Sequence, residues 1–229
     1  FVNPKEIFPS NRKLTVGGIS FKDDTTLDRF AKKGCKIWRL HLEQDLFLEK
    51  HVGVESIQAA LTKNKAQEIS LKKGKADLLV VRHIWEHVYN LNQFSNALKT
   101  LISHDGFILF EIPDCTNLLQ FFDSTMIWEE HIYYFTPYTA KISLQKQGFE
   151  ILKMKIFKYS GENSINLLVK INNSQNAETR QNIIENEIKM GKKYVQEFFN
   201  RKKFILQYLD NVRKRGKIAI FGAGHLACS

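Results

Sequence analysis

The chain has only three cysteines in 229 residues, at positions 35, 115 and 228. Their number is odd and their spacing wide, so neither a disulfide framework nor a paired-cysteine zinc site is written here. Buried thiols are the expected state of Cys35, Cys115 and Cys228, and no metal site is expected. No apolar run approaches the roughly eighteen residues needed to cross a bilayer, and no charged-then-apolar signal segment opens the chain. A cytoplasmic location without a membrane partner is the expectation. The lysines fall in scattered pairs such as Lys32-Lys33, Lys72-Lys73 and Lys192-Lys193, and aromatics are not interleaved with basic residues along one element. That pattern fits a solvated surface and argues against nucleic acid as a partner.

What is present suits a folded protein. A hydrophobic content of 43% over 229 residues is enough to bury one core of ordinary size. The balance of 34 Lys+Arg against 24 Asp+Glu gives a net charge of +10, which attracts anions of several classes, phosphorylated small molecules among them. In "KADLLVVRHIWEHV", Leu78 to Val81 form a continuous apolar strand. "LNQFSNALKTLIS" follows with Leu91, Phe94, Leu98 and Leu101 at helical spacing, stopped by His104-Asp105-Gly106, and "GFILFEIP" is a second buried strand closed by Pro113. A strand, helix, strand order with continuous apolar strands is the signature of a parallel sheet covered on both faces. "TPYTAKISLQKQG" predicts a helix with Thr136 as N-cap, Pro137 at its first position and Gly148 as its stop. "FEILKMKIFKYSG" and "SINLLVKIN", separated by Gly161-Glu162-Asn163, read as an antiparallel pair closing the sheet near Asn173.

A polar stretch, "NNSQNAETRQ", then leads into a long helix over 177–213. Its stripe of Ile184, Ile188, Val195, Phe198, Ile205, Leu209 and Val212 needs a partner: either the protein's own core, which is the favoured reading, or a second copy in a homo-oligomer. Residues 216–229, with "GAGHLA" matching G-x-G-x-x-A, read as the start of a second nucleotide-fold unit. Both ends look cut, since the chain begins at Phe1 and stops just inside that glycine turn. In the first sixty residues, "GCKIWRL" is a candidate strand, and "HVGVES" reads as a strand ending in Glu55 before a helix in "IQAALTKN".

In open α/β folds, ligands bind at the carboxyl edge of the sheet. Glu55, Arg82, His83, Glu86, His87, Glu111 and Asp114 are expected to gather there. Glu55 has two readings, a carboxylate that accepts both ribose hydroxyls of an adenosine cofactor or a first-turn carboxylate of the next helix. His87 and His131 titrate near neutral pH by type, so either is suited to moving a proton. Each directly follows a glutamate, Glu86 and Glu130.

Taken together, "GKADLLVVRHIWEHVYNLNQFSNALKTLISHDGFILFEIPD" and "WEEHIYYFTPYTAKISLQKQGFEI" resemble the S-adenosylmethionine-dependent methyltransferases that include the sugar-nucleotide C-methyltransferases. The resemblance implies a Rossmann-like class I methyltransferase sheet, an α/β fold, followed by a long helix and the start of a second Rossmann-like domain. The implied organisation is an N-terminal segment over 1–30, a methyltransferase domain over 31–173, a linking helix over 177–213 and a truncated domain from 216 to 229. It implies S-adenosylmethionine as cofactor, held by Glu55, Arg82 and His83, and a nucleotide-linked sugar as the small-molecule substrate, with Tyr134 and Trp128 beside it. Catalysis falls to His131, Glu130 and His87, with His131 as the base that deprotonates carbon next to a ketone.

Two features depart from the family pattern. Trp128 and Glu129 stand where the family has tyrosine and often histidine. The glycine-rich loop expected about twenty residues before the ribose carboxylate is not found before Glu55, which points either to residues omitted between Gly34 and His51 or to a lost cofactor site. The alternatives to an enzyme of this type are a non-catalytic relative that binds or assembles through the 177–213 helix, and an oxidoreductase using "GAGHLA".

Overall fold

The computed structural model of the chain describes residues 13–127, 130–172 and 179–219. Its first strand, β1 (Thr15–Gly18), ends on two glycines. A Cβ on Gly17 would stand 2.3 Å from the Trp38 indole, and one on Gly18 would stand 2.6 Å from Leu27, so neighbouring side chains fill the space beside both. Gly17→Ala is therefore expected to destabilise the protein by about 1–3 kcal/mol, read as a lower urea midpoint at unchanged slope; an unaltered midpoint would mean that Trp38 yields without cost. After β1, a single helical turn over Phe21–Asp23 leads into α1 (Asp24–Lys32), which buries Leu27 and Phe30. The candidate strand in "GCKIWRL" is β2 (Lys36–Arg39), followed by the short α2 (Leu42–Asp45).

"HVGVES" is not a strand. Gly53 is the N-cap of α3 (Val54–Ala60), so Glu55 lies in the first turn of a helix. The apolar positions Val54 and Ile57 are spaced three apart and both are buried, a helical face that a short Val-x-Val alternation conceals. Glu55 thus takes the second of its two readings, a carboxylate at the positive end of a helix. Helix α4 (Lys63–Lys73) follows, capped by Thr62, which accepts the Lys65 N–H.

The strand, helix, strand unit forms as its pattern dictates. In β3 (Ala76–Arg82) every residue up to Val81 is buried. A turn over Trp85–His87 precedes α5 (Leu91–Leu101), where Asn90 caps and Phe94, Leu98 and Leu101 face inward. His104-Asp105-Gly106 does not stop this helix: it ends at Leu101, and β4 (Ile102–Asp114) begins at once. Next come α6 (Thr116–Phe121), then α7 (Pro137–Lys146) with Thr136 as N-cap and Pro137 in its first turn. Gly148 adopts φ +75° after α7, the left-handed conformation that glycine reaches freely. Strands β5 (Phe149–Phe157) and β6 (Asn163–Ile171) and the long α8 (Gln181–Arg213) complete the described elements.

The strand order is β2-β1-β3-β4-β6-β5. β2, β1, β3 and β4 run parallel, whereas β6 is antiparallel to β4 and β5 antiparallel to β6. This is the Rossmann-like α/β sheet expected from the sequence, with its antiparallel closing pair. Its strand β1 falls inside the stretch read as an N-terminal segment over 1–30, so the sheet begins earlier than the expected boundary at residue 31. Gly17-Gly18 close β1 about twenty residues before the end of β2.

The chain divides into two compact units, Phe1–Asp114 with Glu130–Ala177, and Cys115–Glu129 with Glu178–Ser229. The first holds the sheet. In the second, the Tyr194 hydroxyl donates to the Asp123 carbonyl at 3.2 Å and Arg201 Nη1 donates to the Phe122 carbonyl at 2.9 Å. Most of the α8 stripe is open: Ile188, Val195, Ile205 and Leu209 are exposed, and Tyr194 is the buried residue of the helix. No described helix is long and apolar enough to cross a membrane. Cys115 is buried and Cys35 half-buried. Cys228 and "GAGHLA" lie outside the described residues.

Candidate active site

At the carboxyl edge of β3 the chain makes a strained exit. His83 has φ +51°, left-handed backbone that histidine seldom adopts, and its N–H bonds the Glu111 carbonyl at 2.9 Å. The same turn places Glu86 and His87 under the loop that carries residues 130–133. Three bonds clamp that loop down: the Glu86 carbonyl accepts the Ile132 and Tyr133 N–H groups at 2.9 and 3.1 Å, and His87 Nδ1 meets the Glu130 carbonyl at 2.9 Å. A carbonyl can only accept, so Nδ1 of His87 carries the proton. The result is an edge-to-face contact of the His87 and His131 rings, with centroids 4.7 Å apart. The Tyr134 ring lies 5.8 Å from His131, while Tyr133 stacks on the buried Phe135.

His87, His131 and Tyr134 are thus brought together as the sequence predicts. Glu130 contributes its carbonyl, and its side chain is exposed, yet near enough to act on the charge of His131. Trp128 lies outside the described residues. Burial holds the His131 imidazole below its ordinary value, against the opposing pull of Glu86 and Glu130. The ring is therefore neutral and basic at neutral pH, with carboxylates placed to stabilise the imidazolium once it takes a proton.

Arg82 and His83 anchor an ion network on the same edge. The Arg82 guanidinium pairs with Glu111 and also donates to the Lys22 carbonyl, which ties β3 to β4 and to the turn after β1. His83 stands 3.5 Å from both Glu86 and Glu111, ion-pair range but longer than a good hydrogen bond. Burial disfavours its charged form, yet the two carboxylates outweigh that and raise it to about 9. Glu111 is driven the other way: burial would raise it, but His83 and Arg82 bring it down to about 2. Glu162, in the turn between β5 and β6, is raised by burial with Glu86 and Asp114 nearby.

Of these groups the sequence offers Glu162 only as a turn residue, whereas Glu86 is expected at this edge beside His87. The repeated Glu-His pair was the available signal for Glu86.

The turn after β1 is closed by an aspartate. Asp23 is fully buried, and its carboxylate accepts the N–H groups of Ile19, Ser20 and Arg82 at 2.8, 3.0 and 3.1 Å. Burial pushes Asp23 up to about 7 in spite of these bonds. No carboxylate directly follows β2, where Leu40 and His41 stand, and Arg39 pairs with Asp24 and Asp28. Glu55, in α3, does not supply the strand-end carboxylate expected of it.

No family model matches the chain. It is 31% identical over 100 residues to the C-methyltransferase NovU of Streptomyces niveus, a match that spans 44% of this chain and 24% of that protein. The chain therefore aligns with about a quarter of the length of the curated relative it matches. Among solved structures it is similar to the magnesium protoporphyrin IX methyltransferase of Synechocystis PCC 6803 with bound S-adenosylhomocysteine, at 16% identity and a TM-score of 0.46 over 73% of this chain and 78% of that one. It is also similar to the 1,6-didemethyltoxoflavin-N1-methyltransferase of Burkholderia thailandensis, at 9% identity and a TM-score of 0.47 over 71% of this chain and 72% of that one.

Proposed function

We propose that this protein transfers a methyl group from S-adenosylmethionine to carbon of a nucleotide-linked keto sugar, with His131 as the base. The observation that carries the reading is the clamp that sets a half-buried, neutral His131 against His87 at the carboxyl edge of a Rossmann-like sheet. Local similarity to a C-methyltransferase supports the choice of reaction.

The edge suits a cationic cofactor. Glu86, Glu111, Asp114 and Glu162 make it acidic beside the His83 and Arg82 cations, and a sulfonium centre is attracted to such carboxylates. When bound, the cofactor supplies an electrophilic methyl group and departs as a neutral thioether. His131 removes the proton from carbon next to the ketone, and Glu86 and Glu130 offset the positive charge that the ring acquires. Tyr134 lies where it flanks the sugar, and the closed loop holds the reacting carbon in line.

A second reading, a non-catalytic relative that binds or assembles, is favoured by one observation. The N–H groups of the turn after β1 are engaged by Asp23, and no carboxylate follows β2. Calorimetric titration of the full chain with S-adenosylmethionine separates the two readings. Saturable binding at micromolar concentration, with turnover on a nucleotide-linked keto sugar, is expected; absence of both heat and thermal shift would leave the non-catalytic reading standing.

A further inference from the structure

We propose that Glu86, His87 and His131 form a binding site for one divalent transition-metal ion of the zinc type. One donor atom from each of the three lies within 4.8 Å of the other two. Bonds of roughly 2.0–2.2 Å to nitrogen and oxygen require donors about 3–3.5 Å apart, so the cluster closes on an ion with shifts of about 1 Å.

Two further features point to a cation. Glu86 is 1% exposed, and neither of its carboxylate oxygens receives a hydrogen bond. A buried carboxylate in that state is costly. Its charged neighbour His83, at 3.5 Å, is shared with Glu111. His87, meanwhile, has its Nδ1–H committed to the Glu130 carbonyl, so Nε2 is the ring nitrogen left to ligate, and it faces Glu86 Oε1 4.0 Å away. A cation between those two atoms would be held by both. An Nδ1–H bond to a backbone carbonyl is also the outer-shell contact that orients metal-binding histidines. Two imidazoles and one carboxylate favour zinc or iron(II) over calcium or magnesium.

The main-chain bonds from residues 130, 132 and 133 to Glu86 and His87 bring the donors together without help from a ligand. This site goes beyond the methyl-transfer reading and does not rest on it. An ion here occupies the lone pair that His131 needs as a base, so zinc should suppress methyl transfer.

The test uses metal-free full chain without methyl donor, titrated with zinc chloride by calorimetry and with cobalt(II) followed by visible absorption. One equivalent of zinc bound at micromolar affinity or tighter, with a cobalt spectrum of low coordination number, is expected. Glu86→Gln and His87→Gln should each weaken binding about tenfold or more, and His104→Ala, at a histidine exposed on the opposite edge of the sheet, should not. Circular dichroism checks that the variants fold. If either variant does not, His131→Asn in the loop replaces it and carries the same expected loss. Failure of the wild-type chain to take up one equivalent, or equal affinity in folded variants, overturns the proposal. A chain that binds zinc but not S-adenosylmethionine would keep this site and lose the methyltransferase reading; the converse result would do the opposite.

Discussion

His131→Gln is expected to lower turnover by about 10²–10⁴-fold, the usual contribution of a positioned general base, while S-adenosylmethionine affinity stays within about threefold. The argument is geometric before it is electrostatic. His131 packs edge-on against His87 in a loop whose main chain is bonded to Glu86 and His87, so glutamine can occupy the space without releasing the loop. What glutamine cannot do is accept a proton from carbon. Because burial lowers the His131 pKa from its ordinary 6.5, the wild-type rate should rise with pH through a limb below that value and then level off. The variant should lack this limb. Equal loss of cofactor affinity and turnover would instead assign His131 a structural role, and an unchanged limb would place the base elsewhere.

Those parts of the fold that follow from local patterning were legible. The run Leu78–Val81, the Thr136-Pro137 start and the paired strands after Gly148 each combine propensity, cap and periodicity in one place, and all three elements formed. "HVGVES" misled because two valines around a glycine satisfy a period of two as readily as one turn of helix does. The partner that decides it is Ile57, three residues beyond Val54. Glu55 accordingly stands in the first turn of α3 and not at the end of a strand.

The site itself was half legible. His87 and His131 were visible as residue types, but their contact depends on bonds between segments distant in sequence, from the Ile132 N–H to the Glu86 carbonyl and from the His87 ring to the Glu130 carbonyl. Asp23 was invisible for a related reason. Its acceptors serve the main chain of Ile19, Ser20 and Arg82, and sequence spacing carries no sign of such a role.

Glu111→Gln should be the most destabilising single change on this edge, by about 3–5 kcal/mol, because it leaves two cations without their shared counter-charge. The Arg82 and Glu111 side chains are 21% and 15% exposed, too enclosed for water to take over fully. The pH dependence gives an independent check. Glu111 is held down at about 2, so its contribution is present above its ordinary 4.5 and is lost as pH falls through 2. His83 is held up at about 9, so its contribution is present below 6.5 and fades as pH rises through 9. Asp23 acts within the acid range: folding raises it from 3.8 to about 7, so its protonated form favours the folded state below 3.8 and that advantage is lost as pH rises through 7. Wild-type stability should therefore be greatest near the acid end of that window, where Glu111 is already ionised, and fall in both directions. In Glu111→Gln the acid limb should flatten, and the His83 ring, followed by its NMR signal, should titrate at lower pH because one of its two carboxylate partners is gone. A His83 titration that does not move would mean that Glu86 alone holds its charge, and that the network is narrower than the three ion pairs imply.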